Sequence, residues 1–336
     1  MKFLIAGLGS IGRRHLRNLV ALGERDILLY RTHHSTLPDE ELADFPVETD
    51  LQAALSHKPD AVIVANPTAL HMEVALPAVR VGCHLLLEKP ISHTLEGIEE
   101  LKREAIQCCV KVLVGFQFRF NPGLRLIAAI LANSSQSPLP ADFIGRPLSI
   151  RAHWGEYLPG WHAWEDYRRG YAARSELGGG VILTLCHPLD YLHWLLGEVN
   201  TLFAFSGRLN DLDLSVEDTT EISLRFANGM IGSLHLDYNQ RPASHHLEII
   251  GTQGTLRWNN ADGLVSVFSA SDEIWHNFPA PERFERNDMF LALMQHFLAV
   301  VRGEAIPACS LDDGIKALQL ALAAHRSAQE GQAVSM

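Results

Sequence analysis

The chain has 336 residues, 47% of them hydrophobic and 20% charged, with 28 lysine and arginine side chains against 39 aspartate and glutamate. That length exceeds what one hydrophobic core usually spans and predicts two domains of roughly 100–200 residues, while the apolar fraction excludes a disordered chain. A formal charge of −11 argues against nucleic-acid or anionic-membrane partners, which require a basic stripe, and no apolar run approaches the roughly 20 residues of a membrane span.

The opening MKFLIAGLGSIGRRH reads as a strand entering a helix and not as a secretory leader, because it has no small-residue cleavage pattern and two arginines follow directly. The five cysteines (Cys83, Cys108, Cys109, Cys186, Cys309) are odd in number and lack C-x-x-C spacing. They read as reduced thiols, and a cytoplasmic protein is expected. Strand-like runs follow at Lys2–Ala6, Asp26–Tyr30, Asp60–Ala65, His84–Leu87 and Lys111–Gly115, several apolar throughout, as strands covered on both faces must be. Ile11, His15, Leu16, Leu19 and Val20 form one helical stripe that Gly23 is placed to end; Thr94 is expected to cap a later helix with Leu95, Ile98, Leu101 and Ala105 inward. Strand–helix alternation of this kind implies a parallel sheet with right-handed crossovers.

After Phe116 the pattern changes. Asn133–Pro140 is a polar loop, and period-two stretches then dominate: Leu148, Ile150 and Ala152 on one side of a strand, Ile222, Leu224 and Phe226 on another. Asn228-Gly229 predicts a hairpin into Met230–Tyr238, and His246–Ile250, Thr255–Trp258 and Val265–Phe268 predict further strands. An antiparallel sheet of at least five strands is expected, closed by two amphipathic helices. One carries Phe290, Leu293, Met294, Phe297 and Val301; the other starts at Ser310 and buries Ile315, Leu318 and Leu322.

Gly7-Leu8-Gly9-Ser10-Ile11-Gly12 lies between the first strand and the first helix, the context in which G-x-G-x-x-G binds a dinucleotide: a tight turn, close backbone approach to a pyrophosphate, and free N–H groups at a helix N-terminus. An NAD site usually adds a carboxylate about 20 residues on, at the end of the second strand. That place reads Tyr30-Arg31-Thr32-His33-His34. Arg31, helped by Thr32 or Ser35, suits a 2′-phosphate, so NADP is preferred over NAD.

Glu88-Lys89-Pro90 ends an apolar strand, at the edge where open parallel sheets bind ligands; a partly desolvated lysine there suits acid/base work, although alone it reads as a surface charge. Gly178-Gly179-Gly180 leads into a helical segment in which His187, Asp190, Tyr191 and Trp194 share one face; alone, His187 reads as a core histidine. Glu156–Arg174 is rich in aromatic and polar side chains. Trp161, His162, Asp166, Tyr167 and Arg174 are candidates for a sugar-like ligand, beside the alternative of a packed structural loop. Arg241 is a candidate for a carboxylate or phosphate. The pairs His33-His34 and His245-His246 lack ligand spacing and no H-E-x-x-H occurs, so no metal is expected. Cys186 and His187, adjacent on a helix, point about 100° apart and form no dyad.

GLGSIG, EKP, GFQFRFNP (Gly115–Pro122), GGGVILTLCHPLDYLHWLLG (Gly178–Gly197) and the late Asn-Gly hairpin, in that order and across essentially the whole chain, resemble the glucose–fructose oxidoreductase / inositol dehydrogenase / MocA (Gfo/Idh/MocA) family. The resemblance implies an α/β chain with an N-terminal Rossmann domain, a doubly wound parallel sheet over 1–120. An α+β domain over 121–336 then carries a large open, mainly antiparallel sheet, with C-terminal helices at about 286–330. That sheet is expected to join subunits of a homodimer or homotetramer. The activity implied is hydride transfer between a nicotinamide and a hydroxyl-bearing or keto carbon of a sugar, amino sugar or polyol. Lys89 matches the family's catalytic lysine and His187 its histidine. Glu88 and Pro90 shape the cofactor-side turn, Asn66, Pro67, Thr68 and His71 match the segment beside the nicotinamide ribose, and Arg119 stands near the substrate. Thr184 replaces an aspartate common in the family, and His187 falls one position early. The alternatives are an NAD-dependent glycoside hydrolase of the same fold and a non-catalytic dinucleotide-binding sensor.

Overall fold

The computed structural model describes residues 1–32, 37, 40–161 and 165–336. They form two compact units. His33, His34, Ser35 and His162, named above, lie outside the described residues.

One unit comprises residues 1–117, 176–178 and 286–318. Its six strands, β1 (Lys2–Ala6), β2 (Asp26–Tyr30), β3 (Val47–Glu48), β4 (Ala61–Val64), β5 (His84–Leu87) and β6 (Val112–Val114), lie in the order β3-β2-β1-β4-β5-β6, all parallel. Every side chain of β4 and β6 is buried, as it must be in a sheet covered on both faces. The order reverses between β1 and β4, so the crevice beyond their carboxyl ends is the switch point where such sheets take ligands. Helices α1 (Ser10–Ala21), α2 (Leu51–Ser56), α3 (His71–Arg80) and α4 (Ile98–Gln107) connect the strands. Thr94 does not cap α4. Its Oγ1 accepts a hydrogen bond from the Glu96 amide, a local turn that competes with helix. The helix starts only after Gly97, which is left-handed at φ 76°, and Leu95 stays half exposed. The helix Arg286–Val301 packs on α1: Phe290 meets the His15 ring edge-on and lies under the Arg14 guanidinium.

The other unit comprises residues 118–175, 179–285 and 319–336. Helix α5 (Pro122–Leu131) is capped by Asn121, whose Oδ1 accepts from Leu124 N–H. The strands are β7 (Pro147–Gly155), β8 (Val199–Gly207), β9 (Thr219–Phe226), β10 (Ile231–Asp237), β11 (Ser244–Gly251), β12 (Gly254–Asn259), β13 (Val265–Ser269), β14 (Trp275–Phe278) and β15 (Val334–Ser335). They form one sheet ordered β14-β13-β12-β11-β7-β10-β9-β8-β15. The expected hairpin joins β9 to β10, with Gly229 at φ 86°. The sheet is mixed and not wholly antiparallel, because β7 and β10 pair in parallel. Inward residues alternate as anticipated at Ile150 and Ala152 on β7 and at Ile222, Leu224 and Phe226 on β9, all buried; Leu148, at the start of β7, is 38% exposed, and the buried Trp154 extends the inward row instead.

The segment after the three glycines is two helices rather than one, α6 (Val181–Thr184) and α7 (His187–Leu196). Pro188 is the cause: it has no N–H to bond back and its ring crowds the carbonyl of residue 184, so a continuous helix is excluded. The last helices are α8 (Arg286–Val301) and α9 (Leu311–Glu330). Ser310 caps α9 reciprocally with Asp313: Ser310 Oγ accepts from Asp313 N–H, and the Asp313 carboxylate accepts from Ser310 N–H. None of the five cysteines, all among the described residues, is in a disulfide. No helix among the described residues is long and apolar enough to cross a membrane.

Candidate functional site

The glycine fingerprint folds as its spacing requires. Gly7 follows β1 at φ 93°, and a Cβ there would fall 2.4 Å from the Asn66 amide nitrogen; at Gly12 it would fall 1.9 Å from the Gly7 carbonyl oxygen. At Gly9 a Cβ would meet nothing within 4 Å. Two glycines are therefore demanded by the protein's own packing, and the third faces open space. Gly9 caps α1 without a side-chain hydrogen bond, and Ser10 beside it is exposed, so the positive end of α1 is presented to an anion. Arg31 lies just beyond β2, largely buried, its N–H donating to the Glu48 carbonyl; Thr32 is exposed.

Beyond β4, Asn66 Nδ2 donates to the Leu70 carbonyl, while its own carbonyl lies 3.0 Å from His71 Nε2. His71 is enclosed, and its other ring nitrogen lies 3.3 Å from the Ile91 carbonyl; burial lowers its pKa against the pull of those carbonyls. Asn66 Oδ1, His93 Nδ1 and Gln117 Oε1 are buried with no hydrogen-bond partner among the described residues. Orphaned polar atoms around the ends of β4, β5 and β6, together with the open glycine turn, fit a dinucleotide that brings its own donors and acceptors.

Lys89 follows β5, half-buried, with its N–H bonded to Glu88 Oε2 and a cis peptide to Pro90. Glu88 is buried and turned to the scaffold: its Oε1 lies 2.8 Å from His15 Nε2 of α1. Its carboxylate also fills the place where a Cβ on Gly115 would fall, 2.8 Å away. His15 is thus a positioning residue that the sequence offered only as part of a stripe.

In the second unit His187 opens α7, 2% exposed. The Phe118 ring meets it edge-on at 5.0 Å and Trp154 lies at 5.5 Å. One turn on, Asp190 is held bidentate by Arg119, with Nη2–Oδ1 at 2.7 Å and Nε within 3.2 Å of both oxygens. The glycine turn before α6 is fixed by Glu217: a Cβ on Gly180 would fall 2.5 Å from Glu217 Oε1, which accepts from Ile182 N–H. Thr184 is buried, and the nearby Tyr238 hydroxyl, which donates to the Ala172 carbonyl at 3.4 Å, has its pKa driven far up by burial. Trp161 stands edge-on to the same Tyr238 ring at 5.5 Å. The structure therefore gathers Trp161 and Thr184 around Tyr238, and Arg119 beneath His187 through Asp190.

The other expected substrate residues have local roles. Asp166 is exposed and paired to Arg168. Tyr167 Oη accepts from Asp213 N–H, and Arg174 is exposed. Arg241 is exposed and lies 4.0 Å over the Tyr157 ring. Trp154 and Tyr238 were not singled out in the sequence, and His245 only as half of a pair without ligand spacing. Their signal was their inward register on β7 and β11 or at the end of β10, where His245 stacks on Trp154 at 4.3 Å and meets the Tyr191 hydroxyl at 3.1 Å.

Comparison with known proteins places this geometry. Residues 1–116 match the model described as "Oxidoreductase family, NAD-binding Rossmann fold", and residues 139–336 match "Oxidoreductase family, C-terminal alpha/beta domain", both of the Gfo/Idh/MocA group. Among relatives, the uncharacterized oxidoreductase sll0816 of Synechocystis sp. is 34% identical over 209 residues, 58% of this chain and 53% of that protein, so the match spans about half of that relative. The 1,5-anhydro-D-fructose reductase of Ensifer adhaerens is 29% identical over 82% of this chain and 80% of its own. Among solved structures, the WlbA dehydrogenase from Bordetella pertussis, in complex with NADH and UDP-GlcNAcA, superposes with a TM-score of 0.80 at 21% identity, covering 100% of this chain and 98% of that one. The chain belongs to the Gfo/Idh/MocA oxidoreductase family, whose N-terminal domain is an NAD-binding Rossmann fold.

Proposed function

We propose that this chain is an NAD(P)-dependent dehydrogenase or reductase acting on a secondary hydroxyl or keto carbon of a sugar, amino sugar or polyol, with NADP preferred. The observation that carries the reading is Lys89 at the carboxyl end of β5, on the same sheet edge as the open glycine turn. The sugar class is supported by the relatives, one a reductase of an anhydro-sugar and one solved with a nucleotide sugar.

A bound nicotinamide supplies the hydride acceptor or donor. Lys89, neutral when it acts, takes the hydroxyl proton as the carbon is oxidised, and in the reductive direction its ammonium returns that proton to the developing alkoxide. His187, fixed by Phe118 and Trp154, hydrogen-bonds the substrate oxygen. Trp161 supplies an apolar face for a sugar ring, and Arg31 pairs with the 2′-phosphate of NADP. Homo-oligomer contacts are assigned to the outer face of the nine-stranded sheet, where Phe205 and Ile231 are 70% and 56% exposed.

Lys89→Met and His187→Ala should each lower turnover by about 100-fold or more while NADP still raises the melting temperature. Near-normal turnover in either variant overturns its assigned role. Arg31→Ala should weaken NADP about tenfold and leave NAD unchanged, since one charge-assisted contact is worth about that much; equal losses for both would remove the NADP preference.

A further inference from the structure

The outer face of the nine-stranded sheet, opposite Trp154 and the core, carries a row of imidazoles. Strand register sets His235 of β10 beside His153 of β7, and His153 beside His246 of β11. The rings stack at centroid distances of 4.8 and 5.0 Å. Across from His235 on β9 is Glu221, whose Oε1 lies 2.6 Å from His235 Nδ1. The other ring nitrogen, Nε2, lies 3.0 Å from Asp237 Oδ2. His153 Nε2 meets the Gln240 side-chain oxygen.

A missing side chain makes this arrangement possible. Gly155 is the register partner of Asp237, and a Cβ there would fall 2.2 Å from Asp237 Oδ2 and 2.4 Å from Gln240 Oε1. The carboxylate and the amide fill that space and stand beside the two imidazoles. One ligand-type atom from each of His153, His235 and Asp237 lies within 4.8 Å of the others. An imidazole binds a metal in the plane of its ring, so the near-parallel rings of His153 and His235, 12° apart, must turn out of their stack for one divalent ion to take a nitrogen of each together with the Asp237 carboxylate. Two histidines and an aspartate are a recurrent zinc donor set. The Glu221–His235 bond is the outer carboxylate that commonly fixes a ligating imidazole. His235 and Asp237, with Asn239 and Gln240, also line a cleft of about 450 Å³.

We propose that His153, His235 and Asp237 form a site for a divalent transition metal of the zinc class, oriented by Glu221 and completed by Gln240 or water, apart from the residues assigned to hydride transfer. The ion would tie β7 and β10, the parallel pair in the middle of the sheet, to the turn that follows β10. This departs from the expectation of no metal, which rested on spacing along the chain.

The protein, treated with EDTA and dialysed, should bind one equivalent of ZnCl2 in a calorimetric titration, with MgCl2 at least 100-fold weaker. CoCl2 should give the visible absorption of a low-coordinate site. His153→Gln and Asp237→Asn should each abolish the saturable binding, and Glu221→Gln should weaken it about 10- to 100-fold. His246→Gln, which removes a stacked ring outside the set, should leave it unchanged. Metal-free melting curves of the variants check that they fold, and His153→Gln decides the question should Asp237→Asn not fold. No saturable binding by the unmodified protein, or binding that survives His153→Gln, or equal loss in His246→Gln, would overturn the site.

Discussion

Glu88 Oε1 lies 2.8 Å from His15 Nε2, with both side chains enclosed. The bond joins the residue immediately before Lys89 to the helix whose N-terminus carries the glycine fingerprint, so the carboxyl end of β5 and the glycine-turn end of α1 share one anchor. The Glu88 carboxylate, although next to Lys89, faces the scaffold.

Glu88→Ala should therefore destabilise the protein by about 1–3 kcal/mol, because it leaves a buried imidazole nitrogen without its partner, and should weaken dinucleotide binding. Glu88→Gln retains an oxygen toward His15 and should cost about 1 kcal/mol. Urea unfolding and dinucleotide fluorescence titration measure both. An Ala variant as stable as the parent would show that the pair contributes nothing.

The fingerprint glycines separate folding from binding. Gly12→Ala drives a methyl into the Gly7 carbonyl at 1.9 Å, so it should lower stability by about 2 kcal/mol, in the range for overpacking. Gly9→Ala meets no protein atom within 4 Å and should cost under about 1 kcal/mol as a poorer helix cap. Its methyl would occupy the space left for a pyrophosphate, so dinucleotide affinity should fall at least tenfold, the cost of about one lost charge-assisted contact. Unchanged affinity in a folded Gly9→Ala protein would place the phosphates elsewhere.

Much of this was legible in the sequence, and the misses have common causes. β1, β2 and β5 were bounded correctly because each is an unbroken apolar run opened by one polar residue, Lys2, Asp26 or His84, as a strand covered on both faces requires. β3, with two residues, is too short to show a pattern. β8 was missed because outward Phe203 and Phe205 blur its alternation. Thr94 carried a cap signal that a local side-chain turn overrode. Contacts such as His15–Glu88 and His153–His235 depend on crossovers and on the parallel β7–β10 pairing, which no local spacing encodes. The fingerprint glycines were readable because their roles lie within one turn.

His71 predicts a pH dependence. Burial lowers its folded pKa below the ordinary imidazole value, so the unfolded chain binds a proton that the folded chain refuses. The stabilisation is whole above the unfolded pKa, near 6.5, and is lost as pH falls through the window below it, with a slope of at most about 1.4 kcal/mol per pH unit. Comparing urea unfolding at about pH 7 and about pH 5 should show a steeper loss in the parent than in His71→Gln. Matching slopes would mean that the ring accepts its proton without cost.

The Arg119–Asp190 pair supplies the last prediction. The guanidinium and carboxylate are 5% and 1% exposed, and the guanidinium also lies 5.7 Å over the Trp194 ring. Removing either charge takes its buried counter-charge from the other, so Arg119→Met and Asp190→Leu should each cost about 3 kcal/mol. The double variant replaces both charges with apolar volume and should be less destabilised than the two single changes summed, with a coupling of about 1–3 kcal/mol. The kinetics distinguish two roles for Arg119. Asp190 sits one turn after His187 on α7, so an arginine that only holds α7 gives Arg119→Met and Asp190→Leu the same kinetic defect, and the double variant is no worse than either. An arginine that also touches substrate raises KM in Arg119→Met beyond its value in Asp190→Leu. The bidentate geometry already satisfies the guanidinium from the protein side, so the first outcome is expected. Arg119→Lys, which keeps the charge but cannot form the two-pronged contact, should behave like Arg119→Met and not like the parent.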